Sequence, residues 1–333
     1  MQSMLDVLII STKAFFGPLA VFYALMGIGL NIHFGYTGLL NFGQIGFAML
    51  GGFGIAISVS TYGLPFFVGV LAGILAAVVF ALILGLPTLR LRADYLAIVT
   101  IAAAEILRLI FRSVGATPVT GATRGLSGFA GDFYALAPFD TSARYTILGA
   151  RWSGRELWVV TVGWTVVVLG CVLVWLLMRS PWGRVLKAIR EDEDAARSLG
   201  KNVYAYKMQS LILGGIFGAL GGMVYALATS SANPDQYQSA NTFLAYAALI
   251  LGGTARVLGP VIGAMIFWFL LAFTEAGLVR LTGTDGIIPR EILSSQDVAQ
   301  IRFILVGAGL MALLIFRPQG IFGDRREVLL DAR

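Results

Sequence analysis

Acid–base and nucleophilic chemistry need imidazoles, thiols or carboxylates gathered at one place, and this chain offers few of them. It contains one histidine, His33, and one cysteine, Cys171, too few for an internal disulfide or a metal site of ordinary ligand count. Cys171 lies in the run VVVLGCVLVW and reads as a small apolar core residue. No G-x-x-x-x-G-K-S/T loop is present to cradle nucleotide phosphates. No catalytic residue and no bound cofactor are therefore expected, and a membrane-embedded enzyme finds no His/carboxylate or Cys/His cluster to work with.

The polar groups that remain fall into three sets. Residues 190–201 read REDEDAARSLGK, a dense charge run in a chain that is 58% hydrophobic and 13% charged. Glu105 and Arg108 are three apart inside an apolar run, a spacing that lets them form an ion pair on one helix face. Ionisable groups in a span are costly and face protein or water. Asn31, His33, Thr37, Asn41 and Gln44 crowd into residues 31–46, NIHFGYTGLLNFGQIG. Irregular backbone at membrane depth survives only where it is buried in protein or lines a wet cavity. Asn31, Thr37, Asn41 and Gln44 are accordingly candidates for lining a translocation pathway. LGGTARVLGP at 251–260 interrupts a later apolar run in the same way, and either an interfacial turn or a second broken helix fits it.

The elements that carry these groups have to live in lipid. Mean hydropathy is +0.83, and apolar runs recur at about 14–32, 38–58, 63–86, 93–111, 156–178, 208–230, 241–255, 258–279 and 299–316. Most approach the roughly 20 residues that a helix needs to cross a hydrocarbon core of about 30 Å. Short alternating segments, the mark of a membrane barrel, are not the pattern. The 41 glycines suit helices that pack closely in lipid. The expected fold is an all-α polytopic bundle of about eight to ten spans within a single transmembrane domain, 1–333, some spans broken or re-entrant. Residues 1–12 form either an interfacial helix or part of an extra span, and no cleavable leader is expected because Asp6 precedes the first basic residue, Lys13. Trp158 and Trp182 bracket the fifth run as interfacial anchors. Arg179, Arg184, Lys187, Arg190, Arg197, Lys201 and Lys207 concentrate in 179–207, which places that loop and the C-terminus in the cytoplasm and the long loop 113–155 outside.

Within the inner loop, Ser180 and Pro181 suit a helix start, with serine as cap and proline in the first helical position. Leu186, Ile189, Ala196 and Leu199 recur at helical spacing, Lys187/Glu191, Arg190/Asp194 and Glu193/Arg197 are four apart, and Gly200 supplies a stop. One amphipathic helix over 182–200 follows. Its ridge either lies on its own protein or docks into a partner.

The segment AIREDEDAARSLGKNVYAYK resembles the coupling loop of bacterial ABC-importer permeases, with Asp192, Ala195, Ala196 and Gly200 in the loose acidic-Ala-Ala-x-x-x-Gly pattern. More specifically, the chain is similar to branched-chain amino acid permeases of the LivM type. Five ordered blocks carry that resemblance: GYTGLLNFGQIGFAMLGGFG, LRLRADYLAIVTIAAAEILRLI, TGATRGLSG, LGGTARVLGPVIGA and FRPQGIFG. Arg124, in the third block, departs from the smaller polar or acidic residue usual there. The resemblance implies a subunit that pairs with a similar second permease, two ATP-binding subunits that hold ATP and Mg²⁺, and an external solute-binding protein, in the bacterial cytoplasmic membrane. Lys187, Arg190, Glu191, Asp192, Ala195, Ala196, Leu199 and Gly200 would then engage the ATPase. No nucleic-acid partner is expected. The same architecture could carry urea, amides or another small solute, and an ion-coupled secondary transporter is a weaker alternative.

Overall fold

The structure, a computed structural model, describes residues 4–89, 93–282, 295–317 and 319–323. α1 (Met4–Phe16) and α2 (Pro18–Leu30) form one rod interrupted at Gly17, where Pro18 opens α2 and the indole N–H of Trp164 donates to the Phe16 carbonyl at 2.9 Å. A π-helical turn (Asn31–Tyr36) ends the rod. The chain then reverses into α3 (Gln44–Ala56), which closes in a second π-helical turn (Ile57–Thr61), and continues through α4 (Phe66–Thr88) and α5 (Ala93–Arg112).

The long loop 113–155 carries secondary structure of its own. It contains α6 (Thr117–Thr120), β1 (Leu126–Ser127), α7 (Gly131–Ala135) and a hairpin of β2 (Arg144–Ile147) with β3 (Ala150–Ser153). α8 (Gly154–Arg179) leads to α9 (Pro181–Glu191), α10 (Glu193–Ser198) and α11 (Val203–Thr229). β4 (Ser231–Ala232) pairs antiparallel with β1 and so ties the loop to the end of α11. α12 (Ala240–Gly252), α13 (Gly259–Leu281) and α14 (Ser295–Phe316) complete the described chain.

Among the described residues, six stretches are long and apolar enough to cross a membrane: Met4–Tyr36, Gln44–Thr61, Phe66–Thr88, Gly154–Arg179, Val203–Thr229 and Gly259–Leu281. Three further runs expected as spans fall short for identifiable reasons. α5 is interrupted by charge, α12 has 13 residues, and the apolar part of α14 is Gln300–Phe316. All three still pack into the bundle, α5 and α12 on α3 and α14 on α13. The N-terminal residues join the first rod, so the separate interfacial helix considered for 1–12 does not form over Met4–Phe16. Arg90, Arg92, Arg290, Arg325, Arg326 and Arg333 lie outside the described residues.

Close approach holds the centre together. In lipid, helices associate through packing and hydrogen bonds rather than through water exclusion. α11 lies along α3 and α2, and a Cβ on Gly222 would collide with the Ala48 carbonyl oxygen, as would one on Gly51 with the Ala219 carbonyl. The outward faces of α4 and α8 are aliphatic, with Leu71, Leu75, Val79, Leu169, Val172 and Leu176 exposed, as lipid contact requires.

Candidate functional site

The first break is a sealed polar knot. A π-turn and the irregular stretch after it leave backbone groups that regular helix would have paired, and side chains from four helices take them up. Thr37 Oγ1 donates to the Ile32 carbonyl at 2.8 Å and lies 2.8 Å from Ser210 Oγ. His33 Nε2 lies 3.2 Å from the Leu211 carbonyl, and its Nδ1 lies 3.1 Å from Asn41 Nδ2. An acceptor on one side and an amide donor on the other select the neutral Nε2–H tautomer. Asn41 Oδ1 accepts from Gly43 N at 2.9 Å, and Asn41 Nδ2 donates to Gln44 Oε1 at 3.1 Å. Gln44 Nε2 in turn donates to the Gly214 carbonyl at 2.8 Å. Thr242 Oγ1 accepts the Ile45 N–H, a free donor of the first turn of α3, and the Tyr246 hydroxyl donates to the Asn41 carbonyl, both at 3.1 Å.

Asn31, Thr37, Asn41 and Gln44, the pathway candidates, are 1%, 2%, 0% and 0% exposed. In this conformation none of them is open to a passing solute. Their polar atoms serve the chain's own breaks.

The second break is joined to the first. α12 ends at Gly252 and α13 begins at Gly259, so residues 251–260 are a broken helix pair rather than a simple surface turn. Asn31 Oδ1 accepts from Ala255 N and Asn31 Nδ2 donates to the Arg256 carbonyl, each at 2.8 Å. Ala255 has φ 57°, a left-handed conformation that a residue with a Cβ holds only when its surroundings impose it. The N–H of Ile321 donates to Leu251 O at 3.0 Å and that of Phe322 to Gly252 O at 3.1 Å, which satisfies the last carbonyls of α12 from the C-terminal segment.

The single helix predicted over 182–200 is two helices. Asp192 is the reason: at φ −154° and ψ 107° it leaves α9, and its Oδ1 caps α10 by accepting from Asp194 N and Ala195 N at 2.9 Å. Ser180 does not cap. Its hydroxyl donates to the Leu177 carbonyl at 2.7 Å, although Pro181 occupies the first turn of α9 as expected. Of the apolar ridge, Leu186, Ile189 and Ala196 are buried, whereas Leu199 is 79% exposed. Ala196 packs with Ile189 and Val203 and folds α10 back on α9. Gly200 takes φ 76° and ends the unit.

Of the expected pairs Glu193/Arg197 forms, while Lys187, Arg190 and Asp194 take other partners. Glu193 meets Arg197 at 3.0 Å and also holds Lys207, while Asp194 meets Arg197 at 3.3 Å. Lys187 Nζ sits 5.9 Å from the Tyr36 ring centroid instead of folding along its own helix. Arg190 Nη1 donates to the Gly35 carbonyl at 2.5 Å. α9 thus touches the π-turn directly, and Glu191, Asp192, Ala195 and Leu199 remain outward.

Glu105 and Arg108 meet on α5, with Arg108 Nε 3.0 Å from Oε1 and Nη2 2.6 Å from it. Arg108 also donates to Asp235 Oδ1 at 2.7 Å, and Arg112 Nε lies 3.5 Å from the same oxygen. The pair is therefore part of a four-residue ladder from α5 to the turn before α12. Arg108→Met is expected to lower the yield of inserted protein more than Glu105→Gln, because the first strips Glu105 of its partner and leaves Asp235 only the 3.5 Å contact with Arg112, whereas the second leaves Arg108 with Asp235. Equal yields, measured by fluorescence-detected gel filtration, would contradict that ordering. Asp235, Ser210, Thr242, Tyr246 and the Gly35 carbonyl were not foreseeable: single hydroxyls and carbonyls carry no spacing signal.

The family described as "Branched-chain amino acid transport system / permease component" matches residues 17–313. The "High-affinity branched-chain amino acid transport system permease protein LivM" of Escherichia coli (strain K12) is 29% identical over 321 residues, 93% of this chain and 70% of that protein. The "Probable branched-chain amino acid transport permease protein LivM" of Methanocaldococcus jannaschii is 25% identical, with 91% of both chains covered. A shorter similarity, 28% over 34% of this chain, links it to the "Nucleoside ABC transporter permease protein NupC" of Lactococcus lactis subsp. cremoris.

Proposed function

We propose, from the premise that the chain belongs to the family of branched-chain amino acid transport permeases, that it carries these amino acids from an external solute-binding protein to the cytoplasm by alternating access. The chain is a multi-pass ABC transporter permease. In the proposed assembly it stands beside a second permease in the bacterial cytoplasmic membrane, and two cytoplasmic subunits bind ATP and Mg²⁺ and drive the cycle.

One observation carries the mechanism: the cytoplasmic helix pair presents an exposed tip and, on its other side, holds the π-turn through Arg190 and Gly35. Glu191, Asp192, Ala195 and Leu199 dock into the ATPase. When nucleotide binding draws the ATPase subunits together, α9 shifts and Arg190 pulls the Gly35 carbonyl. Asn31, at the start of the same π-turn, takes residues 255–256 with it, so the two breaks move together and open the inner end of the pathway. Leu199→Asp is expected to release the ATPase subunits during affinity purification while leaving the melting temperature of the permease unchanged, since Leu199 packs on nothing that the fold requires. Retention of the ATPase would remove Leu199 from the docking surface.

Similarity to the two LivM proteins over nearly the whole chain supports the substrate class. The partial likeness to a nucleoside permease sets the alternatives to test. Competition of radiolabelled leucine uptake by isoleucine, valine, urea and uridine decides between them. Competition by isoleucine and valine alone supports the proposal, and competition by urea or uridine without the amino acids overturns the substrate assignment.

A further inference from the structure

We propose that the outward stripe of α5 faces an aqueous passage, not lipid, and that the ladder of Glu105, Arg108, Asp235 and Arg112 is a docking station there for a zwitterionic solute. This rests on the reading of the chain as an amino acid permease and assigns a surface to it.

Tyr95, Ile98, Ala102, Glu105, Leu109 and Arg112 recur at alternating spacings of three and four, which lines them along one side of the helix. They form a single exposed face: Tyr95 is 60%, Ile98 65% and Leu109 50% exposed. Charge is built into it. The side chains of Glu105, Asp235 and Arg112 are 37%, 39% and 45% exposed, whereas Arg108 behind them is only 12% exposed. Ionisable groups at the surface of a span avoid hydrocarbon and face water or protein. The exposed faces of α4 and α8 differ in kind, since Leu71, Leu75, Val79, Val168, Val172 and Leu176 present no polar atom beyond the backbone. Lipid contact suits those faces and not that of α5.

The ladder also has the polarity of a zwitterion. Arg108 holds one carboxylate on each side, with Glu105 at 2.6 Å and Asp235 at 2.7 Å, so two anionic groups face outward around a recessed cation. An α-ammonium group placed between Glu105 and Asp235 gains both carboxylates, and an α-carboxylate reaches Arg112, which holds Asp235 loosely at 3.5 Å. An aliphatic side chain then lies along Leu109 and Ile106, 50% and 58% exposed on the neighbouring surface of α5. The charges balance before and after binding, so the solute exchanges partners with the ladder and leaves no buried charge unpaired.

The test uses the complete transporter in right-side-out vesicles, with Cys171 replaced by alanine and single cysteines introduced as Ala102→Cys, Leu109→Cys, Leu75→Cys and Val172→Cys. Ile98→Cys replaces either α5 variant that fails to assemble. The negatively charged, membrane-impermeant reagent 2-sulfonatoethyl methanethiosulfonate is added outside, and cysteines left unmodified are then counted with a fluorescent maleimide after denaturation. Loss of maleimide signal is expected for the α5 cysteines and full signal for those on α4 and α8. Leucine, but neither N-acetylleucine nor leucinol, is expected to restore the signal at position 102 or 98. Full signal on α5 overturns the aqueous assignment, and no protection, or equal protection by the two analogues, overturns the zwitterion station. ATP-driven uptake in the same vesicles separates this from the wider reading: uptake with shielded α5 cysteines sinks only the surface assigned here.

Discussion

Replacing Arg190 with alanine is expected to cut ATP-driven uptake about tenfold or more while ATP hydrolysis continues. The hydrogen bond from its guanidinium to the Gly35 carbonyl joins the α9–α10 pair to the π-turn. A hydrogen bond to a charged group contributes about 1.5–3 kcal/mol, and each ~1.4 kcal/mol is a factor of ten. Loss of uptake with hydrolysis retained is the signature of a broken link. A parallel fall in both would mean that α9 had left the ATPase, and unchanged uptake would take Arg190 out of the path. Arg190→Lys keeps the charge without the planar fork, so partial recovery is expected.

The second large effect is on stability. Asn31→Ala strands the buried N–H of Ala255 and removes the partner of the half-buried Arg256 carbonyl. Leaving a buried partner unsatisfied costs about 1–3 kcal/mol, and Ala255 loses the contact that holds its φ of 57°. A clear fall in the thermal unfolding midpoint of the purified transporter in detergent is expected. A midpoint equal to that of the parent would show that the two breaks are held together by something else.

These two residues also show where sequence reasoning stops. Apolar runs locate the helices well, because a span has to be long and oily whatever it packs against. The breaks at 31–46 and 251–260 were legible as breaks, since amides and glycines crowd into both. That a single amide, Asn31, joins them was not, because they are more than 200 positions apart and no local pattern encodes the pairing. The polarity of Asn41 and Gln44 signals the need to satisfy irregular backbone, and a list of residue types reads the same for a wet pathway and a dry knot.

The segment 182–200 fails differently. Helical spacing across 182–200 ignores that aspartate is a good cap, and Asp192 caps α10 instead of continuing α9. That kink turns Leu199 out to 79% exposure and frees Arg190 and Lys187 to reach the π-turn. Glu105 and Arg108 were within reach of sequence because they are three apart on one helix. Asp235, which completes their charge balance, arrives from 127 residues away.

The most direct test of the account is uptake of radiolabelled leucine into vesicles that contain this chain with its co-expressed transporter subunits and solute-binding protein, with and without ATP in the compartment that faces the cytoplasmic helix pair. Uptake that requires ATP on that side, and that the chain alone cannot support, is the predicted result. Uptake by the isolated chain under a sodium or proton gradient, without nucleotide, would contradict it.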